Sequence, residues 1–175
     1  MNDIFACFHY QEPIIKKLLH SLKYYKKQNI GLILGGYLYE RLIEEIAELH
    51  TFSQGSEILL IPVPLSHKRY KERGYNQAEI IAKGIIRNDK EKIFVLENKI
   101  ISKVKDTLPQ AKINNRNKRL KNVIGCFTIN NREKIKGRTV VVVDDVTTTG
   151  GTINEIMKLL KKSGAKKVVG FAVAH

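Results

Sequence analysis

The hydrophobic residues in the first third of the chain repeat with the spacing of amphipathic helices. Apolar side chains recur every three or four residues from Pro13 onward, pause around residues 28–31, and recur again as far as the turn-forming residues 53–56. They are Ile14, Ile15, Leu18, Leu19 and Leu22 in the first stretch, with Lys16, Lys17 and Lys23 on the other face, and Leu38, Leu42, Ile43, Ile46 and Leu49 in the second. The pattern predicts a small helical lobe over residues 1–55.

From residue 56 the pattern changes to short apolar runs that alternate with helical segments. Residues 57–62, 138–143 and 167–173 are nearly continuous apolar runs, which is typical of strands buried on both faces, and residues 98–104 predict a further strand. Residues 76–86 and 152–162 have helical spacing. Strands that alternate with helices predict an α/β core with a parallel sheet flanked by helices over residues 56–175. Together with the helical lead-in, this makes one domain over residues 1–175.

The charge of the chain favours anionic partners. Lys and Arg number 31 and Asp and Glu 17, so the net charge is +14. This excess suits phosphorylated metabolites, nucleic acid or an acidic membrane surface, although a solvated lysine-rich exterior also explains part of it. Cys7 and Cys126 are far apart and predict neither a disulfide framework nor a zinc site. No run is long enough to span a bilayer, so we expect a cytoplasmic protein without membrane insertion.

The segment at residues 105–122 is polar and basic, with few apolar side chains. Such a segment inside a compact domain is either a mobile functional loop or a disordered excursion. Its cations include Lys112, Arg116, Lys118 and Arg119.

The stretch VVVVDDVTTTGGT, residues 140–152, carries candidate chemistry at the end of a predicted strand. Ligands of parallel sheets bind beyond the carboxyl ends of the strands, which is where its polar turn lies. Gly150 and Gly151 let the backbone approach a ligand, and the N–H groups at the start of the next helix attract anions. The threonine hydroxyls could add donors or simply cap the helix. The candidate phosphate-binding residues are Val146, Thr147, Thr148, Thr149, Gly150, Gly151 and Thr152.

Asp144 and Asp145 directly precede this turn and require a separate explanation, because bare carboxylates would repel a phosphate. A ribose 5-phosphate resolves the conflict, since its vicinal hydroxyls can donate to the acids while its phosphate occupies the turn. A solvated acidic pair and a magnesium site are the alternatives. A Walker-type loop is disfavoured because GxxxxGK[ST] is absent.

The same stretch resembles the phosphoribosyl pyrophosphate motif of the type I phosphoribosyltransferases. A second stretch, IPVPLSHKRYKERGYNQAEIIAKGI at residues 61–85, resembles the ComF family among them, as does the early FHYQEPIIKKLLHSLKY. The likeness continues through Thr107, Gln110, Arg119, Asn122, Val123, Gly125 and Phe127. Many ComF proteins begin with a cysteine-rich zinc module, and this sequence starts just after the place where it would lie, so no zinc function is expected of these residues.

The resemblance implies a role for each part of the site. Asp144 and Asp145 would hold the ribose hydroxyls, and residues 146–152 the 5′-phosphate. The basic segment at residues 105–122 would close over the site and exclude water. Mg²⁺ would be bound mainly through the donor's pyrophosphate. The residues expected to bind that pyrophosphate are Val63, Pro64, Leu65, Ser66, Lys68, Arg69 and Arg73, although a solvated basic helix start would explain any one of the cations equally well.

The acceptor and any catalytic residue stay unidentified at this stage. Purine-salvage relatives have an acid at the position of Thr148, so a purine base is disfavoured as the acceptor. Members of the superfamily also include non-catalytic ligand sensors. The ComF resemblance also implies a link to natural transformation, and three hypotheses follow: a pentosyl transferase with an unknown acceptor, a protein that binds single-stranded DNA under control of ribose phosphate, and a regulatory or scaffolding subunit that contacts a protein of the competence machinery.

Overall fold

A parallel sheet of five strands lies at the centre of the computed structural model, which describes residues 3–105 and 123–175. Its strands are β1 (Ile4–Phe8), β2 (Ile58–Pro62), β3 (Phe94–Leu96), β6 (Thr139–Val146) and β7 (Lys167–Ala174), in the spatial order β1-β7-β6-β2-β3. A separate antiparallel pair consists of β4 (Ile101–Lys103) and β5 (Phe127–Ile129). The predicted parallel α/β fold is therefore confirmed.

Helices cover both faces of the five-stranded sheet. In the described part of the chain they are α1 (Pro13–Tyr24), α2 (Gln28–Arg41), α3 (Ile43–Phe52), α4 (His67–Arg73), α5 (Gln77–Asn88) and α6 (Gly151–Lys162). The central strand β6 shows the division of the core. Val141 and Val143 pack with residues of α1, α2, α3 and α5, whereas Val140 and Val142 pack with residues of α6. Burial on both faces explains why residues 140–143 of this strand form an apolar run.

The N-terminal helices join the core through a close contact between α2 and α5. A Cβ atom added at Gly35 would lie 2.1 Å from the Ile81 carbonyl oxygen, and one added at Gly84 would lie 2.3 Å from the Leu32 carbonyl oxygen. Only glycine leaves room for two backbones this close. The lead-in is thereby held against the face of the sheet that α5 covers.

The chain also begins with a strand that the sequence pattern did not indicate. We predicted helices alone over residues 1–55, but Ile4–Phe8 forms β1 and pairs in parallel with β7 at one edge of the sheet. All five residues of β1 are partly buried, so the strand has neither the alternation of a half-exposed strand nor a fully apolar run. The break between the first two helices falls at residues 25–27, where Lys26 has a φ of 55°, and α2 begins at Gln28.

The other sequence predictions differ from the structure mainly at element ends. The strands at 57–62, 138–143 and 167–173 and the helices at 76–86 and 152–162 are present, and β6 runs three residues further, to Val146. The short elements α4, β3 and β5 were missed. Lys112, Arg116, Lys118 and Arg119 lie outside the described residues. No helix in residues 3–105 or 123–175 is long and apolar enough to cross a membrane.

Candidate functional site

The two stretches that carry the predicted chemistry end side by side at the centre of the sheet. β2 and β6 are neighbouring parallel strands, with Pro62 opposite Val143. The pairing continues one residue further, because the Val63 N–H donates to the Val143 carbonyl at 2.8 Å. The loop after β2 and the acids of β6 therefore meet at the same edge, as expected for the carboxyl ends of parallel strands.

A cavity of about 400 Å³ opens at this edge. Its wall includes ten of the residues that the sequence singled out, namely Val63, Pro64, Leu65, Arg69, Arg73, Asp144, Asp145, Val146, Thr148 and Thr152. It also includes side chains that sequence reasoning did not assign to the site, among them Tyr10, Lys23, Tyr24, Lys26, Glu72, Gln77, Lys103 and Val123. The cavity is large enough for a phosphorylated sugar.

The acid pair lies buried at the end of β6 and is held by backbone donors. Asp144 is 8% exposed and Asp145 is 4% exposed. The Asp145 N–H donates to Asp144 Oδ1 at 2.9 Å, and the Val146 N–H donates to Asp145 Oδ1, also at 2.9 Å. The remaining oxygen of Asp145, Oδ2, lies 2.6 Å from the ammonium of Lys23, whose helix α1 reaches the cavity from the N-terminal region. A lysine from the lead-in is thus part of the same site as the acids.

The acid pair and Lys23 perturb one another's ionisation. Burial raises the pKa of Asp144 well above its ordinary value, and the neighbouring charge of Asp145 adds to the rise. Burial, the largest single effect, would lower the pKa of Lys23, but the charge of Asp145, the hydrogen bond to it and the charge of Asp144 together outweigh burial, so the pKa of Lys23 is raised. The site therefore favours a charged lysine beside the acids.

The turn after β6 leads directly into α6. Gly150 has a φ of 70° and precedes the first residue of α6, and a Cβ atom there would lie 2.6 Å from Asn154 Nδ2, so the position requires glycine. Thr148 and Thr152 line the cavity. Thr147, Thr149 and Gly150 line an adjacent open groove beside β1, whereas Gly151 is buried in the first turn of α6. The predicted phosphate-binding residues are therefore divided between two sides of the turn.

The loop after β2 continues into α4, and a hydrogen bond from the start of α5 holds it. The Asn76 side-chain amide donates to the Val63 carbonyl at 3.0 Å. Arg73, in the last turn of α4, donates to Gln77 Oε1 at 2.6 Å and lies 5.7 Å above the ring of Tyr24. These contacts hold its guanidinium at the cavity wall.

Two of the predicted pyrophosphate-binding residues do not reach the cavity wall. Ser66 is buried just before α4 and its carbonyl accepts from the Tyr70 N–H, and Lys68 is exposed on α4. The part of α4 that faces the cavity is instead marked by Arg69, Glu72 and Arg73. The basic residues of α4 therefore divide between the site and the solvent.

Lys23 is the site residue that sequence reasoning placed elsewhere. Helical spacing assigns it to the face of α1 opposite the apolar side chains. Its side chain is only 21% exposed, and its ammonium lies against Asp145. Nothing in the spacing of residues 22–27 points to a carboxylate more than a hundred residues away.

Comparison with known proteins gives one family match and several similar proteins. The family model described as the phosphoribosyl transferase domain matches residues 39–175, which include β2, β6 and both loops of the cavity. The chain is 33% identical over 169 residues to competence protein F of Haemophilus influenzae, an alignment that covers 95% of this chain and 70% of that protein.

Two further relatives have lower coverage. DNA utilization protein YhgH of Escherichia coli K12 is 28% identical over 156 residues, which are 89% of this chain and 65% of YhgH. Competence protein ComFC of Bacillus subtilis is 32% identical over 127 residues, which are 70% of this chain and 48% of ComFC. The chain thus spans between about half and about two thirds of these two curated relatives.

Proposed function

The chain belongs to the phosphoribosyl transferase domain family and, within it, to the ComF family, and from this premise we propose that it binds phosphoribosyl pyrophosphate and transfers the phosphoribosyl group. The observation that carries the proposal is that three regions, namely the acid pair, the turn into α6 and the loop after β2, meet in one cavity. The buried acids Asp144 and Asp145 lie beside the turn into α6, and the loop after β2 brings Arg69 and Arg73 to the same space. A ligand with a diol, a phosphate and a pyrophosphate matches all three regions.

Each region has a distinct task in this proposal. The carboxylates accept hydrogen bonds from the ribose hydroxyls and fix the sugar. Backbone N–H groups of residues 148–152 bind the 5′-phosphate at the start of α6, because those of Val146 and Thr147 already donate to Asp145 Oδ1 and to the Ala174 carbonyl. The guanidinium groups of Arg69 and Arg73 face the pyrophosphate, for which their planar donors are well suited.

Transfer breaks the bond between C1 of the ribose and the pyrophosphate oxygen, which leaves with the electron pair, and forms a bond between C1 and the acceptor. Positive charge develops on the ribose as the bond breaks. Fixed carboxylates next to the sugar stabilise that charge, and cations around the leaving group stabilise its negative charge. Thr148, which disfavours a purine acceptor, lies in the cavity wall.

A magnesium ion fits this site as part of the bound donor. In the described residues, no group of three or more His, Cys, Asp or Glu side chains is placed to hold a metal, and the free side of Asp145 already faces an ammonium. Among the described residues, five cationic side chains line the cavity: Lys23, Lys26, Arg69, Arg73 and Lys103. We therefore propose that Mg²⁺ would enter with the bound donor, on the side of the cavity lined by residues 63–65, and would supply further charge neutralisation to the leaving group.

Calorimetric titration with phosphoribosyl pyrophosphate and Mg²⁺ tests the donor site. The Asp144→Asn/Asp145→Asn variant should bind the donor at least about tenfold more weakly, a loss of about 1.4 kcal/mol. Glu44→Gln/Glu45→Gln is a matched control, because it also changes two adjacent acids, here at the start of α3. Equal affinities of both variants and the unchanged protein would remove the proposed site. Pyrophosphate release over candidate acceptors then separates a transferase from a protein that only senses the donor.

A second function is favoured by a group of exposed rings at the end of α1. The ring of His20 lies 4.7 Å from that of Tyr24 and 5.6 Å from that of Tyr25, between centroids. Tyr24 and Tyr25 are 63% and 65% exposed, and Lys26 and Lys27 follow them. Rings interleaved with cations suit the stacked bases and phosphates of single strands. We call His20, Tyr24, Tyr25, Lys26 and Lys27 the ring group. Because the relatives are named for competence and DNA utilization, we propose that the ring group binds single-stranded DNA during DNA uptake.

A further inference from the structure

Lys23 connects the N-terminal region to the acid pair, and its role in the proposed donor site has not been assigned. Its ammonium lies 2.6 Å from Asp145 Oδ2, and Asp145 Oδ1 accepts from the Val146 N–H at 2.9 Å. Both oxygens of this carboxylate are therefore held, one by a charge and one by the backbone. Two contacts on different oxygens fix the plane of the carboxylate as well as its position.

The end of α1 that carries Lys23 is firmly anchored. Leu19 and Leu22 are 1% and 0% exposed in the core. The Tyr75 hydroxyl, from the segment between α4 and α5, donates to the Leu22 carbonyl. The backbone of Lys23 is thus tied on one side to the core and on the other to the segment that follows the pyrophosphate-binding loop. The anchored helix end fixes the backbone of Lys23, and the ion pair with Asp145 holds its ammonium.

The charges around the acid pair show why a cation is needed there. Two adjacent buried carboxylates repel each other and would also repel a donor that carries several negative charges. Among the described residues, the charged groups that face this region are Asp144 on β6, Arg69, Glu72 and Arg73 on α4, Lys26 after α1, and Lys103 on β4. The ion pair of Lys23 is made with a buried acid of the cavity, Asp145.

We propose that Lys23 is a positioning residue of the donor site: its ammonium balances the charge of Asp145 and holds that carboxylate where it accepts the ribose hydroxyls. This inference rests on the proposed function and assigns a residue to it. A carboxylate offers about four acceptor positions, so an oxygen that already accepts from Lys23 can still accept from a hydroxyl. Lys23 and the sugar can therefore share Asp145.

The competing interpretation is that Lys23 merely blocks the acids until a donor displaces it. The two interpretations predict opposite changes in donor affinity when Lys23 is replaced. A blocking lysine weakens donor binding, so its removal would strengthen binding. A positioning lysine supports donor binding, so its removal weakens binding, and most strongly at low pH, where an unbalanced acid pair takes up a proton first.

The experiment measures the affinity for phosphoribosyl pyrophosphate with Mg²⁺ by calorimetry across the range from about pH 5.5 to 8.5. Lys23→Met keeps the length of the side chain and removes its charge, and Lys23→Arg restores a charge. Lys83→Met is the matched control, since Lys83 forms an ion pair of 2.7 Å with Glu79 on the outside of α5. We expect a loss of about tenfold or more near pH 7 for Lys23→Met, a larger loss at lower pH, recovery in Lys23→Arg, and no change in Lys83→Met.

Three outcomes would overturn the proposal: unchanged or tighter binding by Lys23→Met, a loss that is the same at every pH, or a loss that arginine does not restore. Failure of the unchanged protein to bind the donor would instead count against the proposed function. The role of Lys23 is then decided in the ligand-free protein by carboxyl ¹³C NMR titration, with Asp144→Asn and Asp145→Asn used for assignment. Proton uptake by the acid pair at higher pH in Lys23→Met supports the role, and an unchanged titration contradicts it.

Discussion

Asn76 joins the start of α5 to the loop after β2, because its side-chain amide donates to the Val63 carbonyl at 3.0 Å while its Oδ1 accepts from the Ala78 N–H at 3.1 Å. The first bond holds the loop that we assign to the pyrophosphate, and the second caps the helix. Asn76 is 8% exposed, so neither bond is readily replaced by water. The stability of α5 and the shape of the loop thus depend on one side chain.

Two substitutions of Asn76 should separate these effects. Serine can still cap α5, but its side chain is one bond shorter, so its hydroxyl ends short of the Val63 carbonyl, whereas alanine loses both bonds. We expect both variants to weaken donor binding by a similar factor, because the Val63 carbonyl loses its partner in each. The free energy of unfolding should be about 1 kcal/mol lower for Asn76→Ala than for Asn76→Ser. Chemical denaturation and calorimetry measure the two effects, and full donor affinity in Asn76→Ser would contradict the role of the bond to Val63.

Asp144 and Asp145 should respond to the same substitution with opposite changes in stability. Because burial raises the pKa of Asp144, its contribution to stability is present below the ordinary value of 3.8 and is lost as the pH rises through the raised pKa. Asp144→Asn should therefore raise the melting temperature near pH 7.5, with a gain on the order of 1 kcal/mol that shrinks toward about pH 4.

Asp145→Asn should lower stability at neutral pH, because it leaves the largely buried ammonium of Lys23 without its partner. Allowing for the partial exposure of Lys23, we expect a loss of about 1–3 kcal/mol. Thermal unfolding of both variants between about pH 4 and pH 8 checks the pair. Destabilisation by both substitutions at every pH would show that the buried charge of Asp144 is compensated in the folded protein.

The elements that sequence reasoning identified share a strong local pattern. β6 contains four consecutive valines, residues 140–143, because both faces of the strand are covered there. α6 has clear helical spacing and ends before the Ser163-Gly164 turn. β1 has no such pattern, since its five residues are all partly buried and its position depends on pairing with β7, more than 160 residues away. Pairing partners at that separation leave no trace in local spacing.

Prediction of the site from the sequence is limited in the same way, because local spacing does not show contacts between distant segments. The acids and the turn were recognisable because they are contiguous in sequence and end a buried strand. Lys23 was placed on the polar face of α1, because helical spacing shows only which face of a helix is apolar. The spacing does not show that this polar face meets Asp145. In the same way, Lys68 and Arg69 looked equivalent in sequence, but only Arg69 lies in the cavity wall.

Gly150 provides a test of the turn that we assign to the 5′-phosphate. Its φ of 70° and the short distance from an added Cβ to Asn154 Nδ2 should make Gly150→Ala both strained and crowded. Gly137→Ala is the matched control, because Gly137 has a φ of 72° and no atom within 4 Å of the added Cβ. Both should lose about 1–2 kcal/mol of stability through the backbone, and only Gly150→Ala should also weaken binding of the donor. Unchanged donor binding by Gly150→Ala would place the phosphate elsewhere.

The ring group at the end of α1 leads to a prediction about single-stranded DNA. Tyr25→Ala/Lys27→Gln removes one exposed ring and one cation from it without changing a residue of the cavity wall. Tyr37→Ala/Lys90→Gln is the control, since Tyr37 is also exposed, at 53%, and Lys90 is exposed after α5. The two variants therefore have the same charge and a similar loss of exposed aromatic surface, and they differ in location.

We expect the first variant to bind a single-stranded oligonucleotide about tenfold more weakly, because one stacked base contributes about 1–3 kcal/mol. The slope of log affinity against log salt should become shallower by roughly 0.7, the value for one phosphate contact on a single strand. The control should keep both the affinity and the slope, and both variants should bind phosphoribosyl pyrophosphate as the unchanged protein does. Fluorescence anisotropy at several salt concentrations measures these quantities. Equal losses in the two variants would mean that DNA is attracted by the +14 charge as a whole, and the ring group would then have no specific part in binding it.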